Sequence, residues 1–96
     1  MRSRYAGNAA VFMFYVYILK SRIANRHYIG FTSDIEKRLE QHNSGRTKST
    51  KGYLPWDLVY FEKFELKNEA LKREKEIKSF KSGIKFKQLL ESWQSG

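Results

Sequence analysis

"HYIGFTSDIEKRLEQHN", residues 27–43, opens with the β-branched and aromatic character of a strand and continues at the spacing of a helix. A Tyr28-Ile29-Gly30 step closes the strand half, and Gly30 is read as a tight backbone position that lets the chain turn. Asp34, or Ser33 before it, is placed to cap a helix running to about Ser44, with Gly45 as its stop. Arg38 and His42 fall one turn apart on the stripe that also carries Ile35. Two readings of that pair are open. Arg38 can snorkel at the helix edge while His42 sits at the negative end of the helix dipole. Alternatively, the guanidinium serves a phosphate and the imidazole beside it accepts or donates a proton.

Working outward, "FYVYILKS" (14–21) puts Tyr15, Tyr17 and Leu19 on one side and Val16 and Ile18 on the other. A central strand covered on both faces reads this way. "RIAN" (22–25) connects it to "RHYIGFT" (26–32), forming a hairpin. After the helix comes a polar, basic loop, "RTKSTKG" (46–52), and then Pro55 and Trp56 lead into a third strand, "DLVYFEKFE" (57–65). Asn68 is expected to cap a long helix, "EALKREKEIKSFK" (69–81), which Gly83 interrupts before a last short helix, "IKFKQLLESW" (84–93). The order β-β-α-β-α-α with short connections implies an α+β fold, a small three-stranded, mainly antiparallel sheet flanked by helices.

The chain has 96 residues, enough for one modest core. Residues 13–96 are expected to form a single domain, with residues 1–12 a loosely held extension and Met13 an alternative start. The apolar run "AAVFMFYVYIL" (9–19) lacks a cleavage site and is too short to span a bilayer as a helix, so no membrane association is expected. There is no cysteine, which excludes disulfides and thiolate metal sites and fits a reducing, cytoplasmic compartment. With two histidines, a metal would be a hard, oxygen-ligated cation such as Mg²⁺. Nineteen Lys and Arg against ten Asp and Glu give a net charge of +9, which points to a polyanion, nucleic acid ahead of anionic membrane.

Glu74 is the most informative single residue, because Ala70, Leu71, Glu74, Ile77 and Lys78 share a helix face by spacing. An uncompensated polar group in an apolar stripe costs roughly 2–7 kcal/mol. Either Glu74 sits at the stripe's edge and pairs with Lys78, or it is the single carboxylate of a metal site. Tyr17 and Tyr28 are ordinary strand residues taken singly. The set of two hairpin tyrosines, a helical Arg/His pair and a carboxylate embedded in a second helix suits phosphodiester hydrolysis.

"YVY" (15–17), "YIG" (28–30), "GFTSDIEKRLEQHN" (30–43), "PWDLVYFEKF" (55–64) and "EALKREKEIKSF" (69–80) together resemble the GIY-YIG nuclease superfamily. The resemblance spans roughly residues 14 to 82 and is to the stand-alone branch related to the N-terminal nuclease domain of the excision-repair incision protein. It implies a metal-dependent DNA endonuclease using one Mg²⁺ or Mn²⁺, acting in DNA repair or processing. Under it, Tyr17 is the general base or proton relay, Tyr28 orients water or phosphate, and Arg38 stabilises the scissile phosphate. His42 accepts the proton from Tyr17, Gly30 holds the tight position after Tyr28, and Glu74 ligates the metal. A tyrosine, with an ordinary pKa near about 10, needs such neighbours to act as a base.

The chain departs from the family's pattern in three places. Tyr15 replaces the glycine of the first motif, Phe31 stands where the excision-repair branch carries a lysine, and no asparagine follows Asn68. Gln88 is a candidate substitute for the last. Arg46, Lys48 and Lys51 in the basic loop, with eight Lys or Arg against three Glu over residues 67–87, are expected to track substrate phosphates. Tyr53 and Trp56 are candidates to stack on an unpaired base, with Trp56 the better core residue. The rival expectations are a nucleic-acid-binding module on the same fold that has lost efficient catalysis, and an interaction module in a repair complex. With no targeting domain attached, a protein partner for targeting is a further expectation.

Overall fold

The computed structural model describes residues 13–81 and 83–94; the expected N-terminal extension, residues 1–12, lies outside them. Strand β1 (Phe14–Ser21) is central, paired antiparallel with β2 (His27–Thr32) on one side and β3 (Trp56–Phe64) on the other. Helix α1 (Ile35–Asn43) follows β2, a 3-10 turn at Lys51–Tyr53 precedes β3, and α2 (Lys67–Ser79) and α3 (Ile84–Gln94) complete the order β-β-α-β-α-α. The α+β architecture is the expected one, with an entirely antiparallel sheet. Among the described residues, no helix is long and apolar enough to cross a membrane.

The two-sided pattern of β1 divides the core. Val16 and Ile18 pack with Tyr60, Ala70, Ile77 and Phe86 under α2 and α3. Tyr17 and Leu19 face the opposite layer, with Trp56 and the partly buried Ile35 and Leu39 of α1. Register fixes which side chains meet: Tyr17 lies opposite Gly30, Leu19 opposite Tyr28, and a bulge between Ile18 and Leu19 shifts the pairing with β3. Arg73 reaches from α2 to Glu62 on β3, tying helix layer to sheet through a half-buried ion pair of 2.9 Å.

Helix α1 starts and stops where the sequence indicates. The Asp34 carboxylate accepts the Lys37 N–H at 3.1 Å, and Gly45 takes φ +81 beyond the last turn. Helix α2 does not start as expected. It begins at Lys67, with Leu66 in the capping position and no side-chain cap, so Asn68 lies inside the first turn. Buried Ala70, whose N–H is received by the Leu66 carbonyl at 3.2 Å, locks the helix to the sheet, and Glu69 in the first turn meets its dipole. Nor is Gly83 the stop: α2 ends at Ser79 with Phe80 as its C-cap, and Lys81 takes the left-handed conformation at φ +50. Gly83 instead opens α3, its carbonyl accepting the Lys87 N–H at 3.1 Å. Leu71, expected on the buried face, is exposed.

Candidate active site

Tyr17 projects from the central strand into the α1 layer and is only 2% exposed. Its phenol needs room, and Gly30 supplies it. A Cβ at position 30 would lie 2.5 Å from the Tyr17 hydroxyl, 2.6 Å from its Cζ and 2.9 Å from a Tyr28 ring carbon. Gly30 lies within β2 and has no left-handed backbone, so its requirement comes from the tyrosines it faces and not from a turn.

The Tyr17 hydroxyl meets two groups from α1. It lies 3.0 Å from His42 Nε2, and the Arg38 Nε–H donates to it over 3.4 Å. His42 is fully buried, and its Nδ1 is 2.9 Å from the Thr50 hydroxyl, which in turn donates to the Thr47 carbonyl at 3.4 Å. A carbonyl only accepts, so the chain has one consistent sense. The Thr50 hydroxyl donates to it, His42 Nδ1–H donates to Thr50, and the free Nε2 lone pair accepts from the Tyr17 hydroxyl. Tyr28 completes the cluster, with ring centroids 4.7 Å from His42 and 6.2 Å from Tyr17.

Electrostatics follow from this packing. Burial pushes the Tyr17 phenol up to about 12, against the lowering effect of the Arg38 hydrogen bond, with the charges of Tyr28 and Glu74 adding to the rise. Burial, and then the positive charge of Arg38, pushes His42 down to about 4, so it is neutral near pH 7. Arg38 is held charged, first by its hydrogen bond to Tyr17. Its Nη1–H also donates to Gln41 Oε1 at 3.0 Å, leaving the guanidinium at the wall of a groove of about 370 Å³ that Phe31, Lys37 and Gln41 help line.

Thr50 was not singled out from sequence, because a hydroxyl within a basic loop carries no periodic signal. Its placement is set by two clamps. The Trp56 indole N–H donates to the Thr50 carbonyl at 2.9 Å, and Asn43 binds both the backbone N–H and carbonyl of Trp56, at 2.7 and 3.1 Å. Trp56 is therefore core, as expected, and Tyr53 is half-buried against it, with the Arg26 guanidinium 4.7 Å from its ring centroid.

Glu74 comes from α2, in the layer behind the sheet, and is 18% exposed; Lys78 pairs with it at 3.2 Å. Its charge contributes to the rise of the Tyr17 pKa, so this carboxylate acts on the phenol from the opposite layer. Among the described residues, no three His, Cys, Asp or Glu gather as a metal cage. A lone, partly exposed carboxylate fits a cation such as Mg²⁺, which keeps several waters and takes one or two carboxylates plus substrate phosphate oxygens.

Arg46, Lys48 and Lys51 are exposed on the loop that Thr50 anchors. Phe31 stacks on Phe14 with centroids 5.9 Å apart. Gln88 is exposed on α3, and among the described residues no hydrogen bond joins it to the tyrosine cluster.

Comparison with known proteins agrees with this fold. The chain is 47% identical over 78 residues to a UPF0213 protein of Staphylococcus saprophyticus, covering 80% of this chain and 94% of that protein. Against a UPF0213 protein of Clostridium perfringens it is 51% identical over 67 residues, 69% of this chain and 71% of the relative. The solution NMR structure of a UPF0213 protein from Bacillus halodurans aligns with a TM-score of 0.53 and 38% identity over 82% of this chain and 83% of that one. Residues 13–85 match the GIY-YIG catalytic domain, and the chain belongs to that family of nuclease domains.

Proposed function

We propose that the chain is a divalent-metal-dependent DNA endonuclease that hydrolyses phosphodiester bonds, with the catalytic domain spanning residues 13–96 and residues 1–12 an extension. The observation that carries it is the directed chain from Arg38 through the Tyr17 hydroxyl to His42 Nε2. An attacking water gives its proton to the Tyr17 oxygen as the Tyr17 hydroxyl proton moves to His42 Nε2. The gap between a phenol near about 12 and an imidazole near about 4 means that no phenolate stands ready at rest. The transfer is concerted with attack, and Arg38 meets the charge that builds on the phosphoryl oxygens. Tyr28, beside both groups, orients the water or phosphate. Glu74 would hold Mg²⁺ or Mn²⁺, which when bound neutralises developing charge on the phosphate. Arg46, Lys48 and Lys51 would track the flanking backbone, in a cytoplasmic repair or processing role to which a protein partner supplies targeting.

Purified protein incubated with branched, flapped, single-stranded and plasmid DNA in Mg²⁺ or Mn²⁺ tests this. Cleavage is expected, with Tyr17→Phe lowering the single-turnover rate by about 10²–10⁴-fold, the range for a lost proton-transfer group, and Glu74→Ala, which removes the metal carboxylate, also lowering it. Equal cutting by either variant sinks the mechanism. The Glu74–Lys78 ion pair favours one alternative, a nucleic-acid-binding module whose metal carboxylate is already paired with a lysine. In that case binding persists in EDTA and no substrate is cut.

A further inference from the structure

On the face opposite the tyrosine cluster, α2, α3 and the start of β2 enclose a cleft of about 700 Å³. Its cationic lining is Arg26, Lys78, Lys81 and Lys87, and no Asp or Glu lines it. His27 stands edge-on to Phe86 with centroids 5.0 Å apart, forming an aromatic wall. Burial, then the charge of Lys20, lowers the His27 pKa, so the positive charge of the cleft is that of the lysines. Among the described residues, no carboxylate pairs with Arg26, Lys81 or Lys87. Lys81 and Lys87, held without a counter-charge beside the Glu74-paired Lys78, repel one another and favour a polyanion that brings several charges at once.

Lys78 gives this cleft its direction. It lines the cleft, and its ammonium lies 3.2 Å from Glu74, the candidate metal carboxylate. The cleft therefore adjoins the candidate metal carboxylate through Lys78. We propose that it is a second nucleic-acid-binding site, holding the phosphates of the strand that continues past the scissile position. This rests on the nucleic-acid part of the function proposed above. Phosphates engage Lys81 and Lys87 first, with Lys78 standing between them and Glu74.

The test measures binding of a fluorescein-labelled single-stranded 30-mer DNA to the full chain in EDTA, across a salt series. Lys81→Ala/Lys87→Ala replaces exposed side chains; its fold is checked by circular dichroism, and Lys63→Ala, on the β3 surface, is the control for lost charge alone. The double variant is expected to bind about 10-fold or more weakly at 0.1 M salt. Its log K against log salt slope should fall by about 1.4, at roughly 0.7 per lost single-strand phosphate contact. Lys63→Ala should match the parent. The proposal is overturned if the double variant keeps the parent's affinity and slope, or if Lys63→Ala loses as much per charge. It is also overturned if a polyglutamate peptide of equal charge competes as well as DNA. DNA cutting in Mg²⁺ with an indifferent double variant removes the cleft and leaves the nuclease standing. Cleft-dependent binding without any cutting does the reverse.

Discussion

Gly30 and Thr50 show how a single position serves the site without chemistry of its own. A Cβ at 30 would press on the Tyr17 hydroxyl and Cζ, and the opposing residue is a ring in the sheet centre that cannot yield easily. Gly30→Ala is expected to destabilise the fold by about 1–3 kcal/mol, the usual cost of overpacking, and to displace Tyr17. Urea unfolding and cleavage rate should therefore fall together. Thr50→Val keeps the shape but leaves His42 Nδ1–H without an acceptor, at a cost of about 1–3 kcal/mol. It also frees the imidazole to adopt the other tautomer, closing Nε2 to the Tyr17 proton. The expected result is a lowered kcat with altered pH profile, restored by Thr50→Ser. Both positions were hard to read in sequence for physical reasons. Gly30 was identified with a backbone rationale, whereas cross-strand register supplies a steric one. Thr50 needed a tertiary contact that no local pattern records.

At the level of elements, α1 was legible because its signals are local: Asp34 caps it and Gly45 ends it within a turn of the residues they serve. Helix α2 was legible in existence but not at its ends, because tertiary docking of Ala70 outweighs the capping preference of Asn68. The same contrast explains the site. Arg38 and His42 could be paired from helix spacing, but their meeting with Tyr17 depends on α1 packing across the sheet. What seats the loop after α1 is Asn43, whose side chain accepts the N–H and donates to the carbonyl of Trp56, the first residue of β3. Asn43→Ala should cost about 1–2 kcal/mol for the two lost hydrogen bonds. Hydrogen exchange should show early loss of protection at the Trp56 amide, while α2 amides stay protected.

Across the whole molecule, the fold class and the family pattern were carried by alternation and spacing, while the second basic cleft arises only once α2, α3 and β2 assemble. Buried His42 also ties global stability to pH. Unfolded, it binds a proton near about 6.5; folded, only near about 4, so the unfolded state holds the extra proton between those values. Its stabilising contribution is complete above about 6.5 and is lost as pH falls toward 4, by about 3 kcal/mol at most at roughly 1.4 kcal/mol per pH unit. Urea unfolding across that window should show the slope in the parent, and His42→Gln should flatten it. The sense of the Arg38–Tyr17–His42–Thr50 chain has a last consequence. Because it ends on the Thr47 carbonyl, every member is turned the same way, and at rest the imidazole presents a lone pair to the Tyr17 hydroxyl. In the proposed mechanism a proton taken up at Nε2 has no onward path, because the chain ends on a carbonyl, and it leaves again through the Tyr17 oxygen: the buried imidazole is a lay-by and not a conduit.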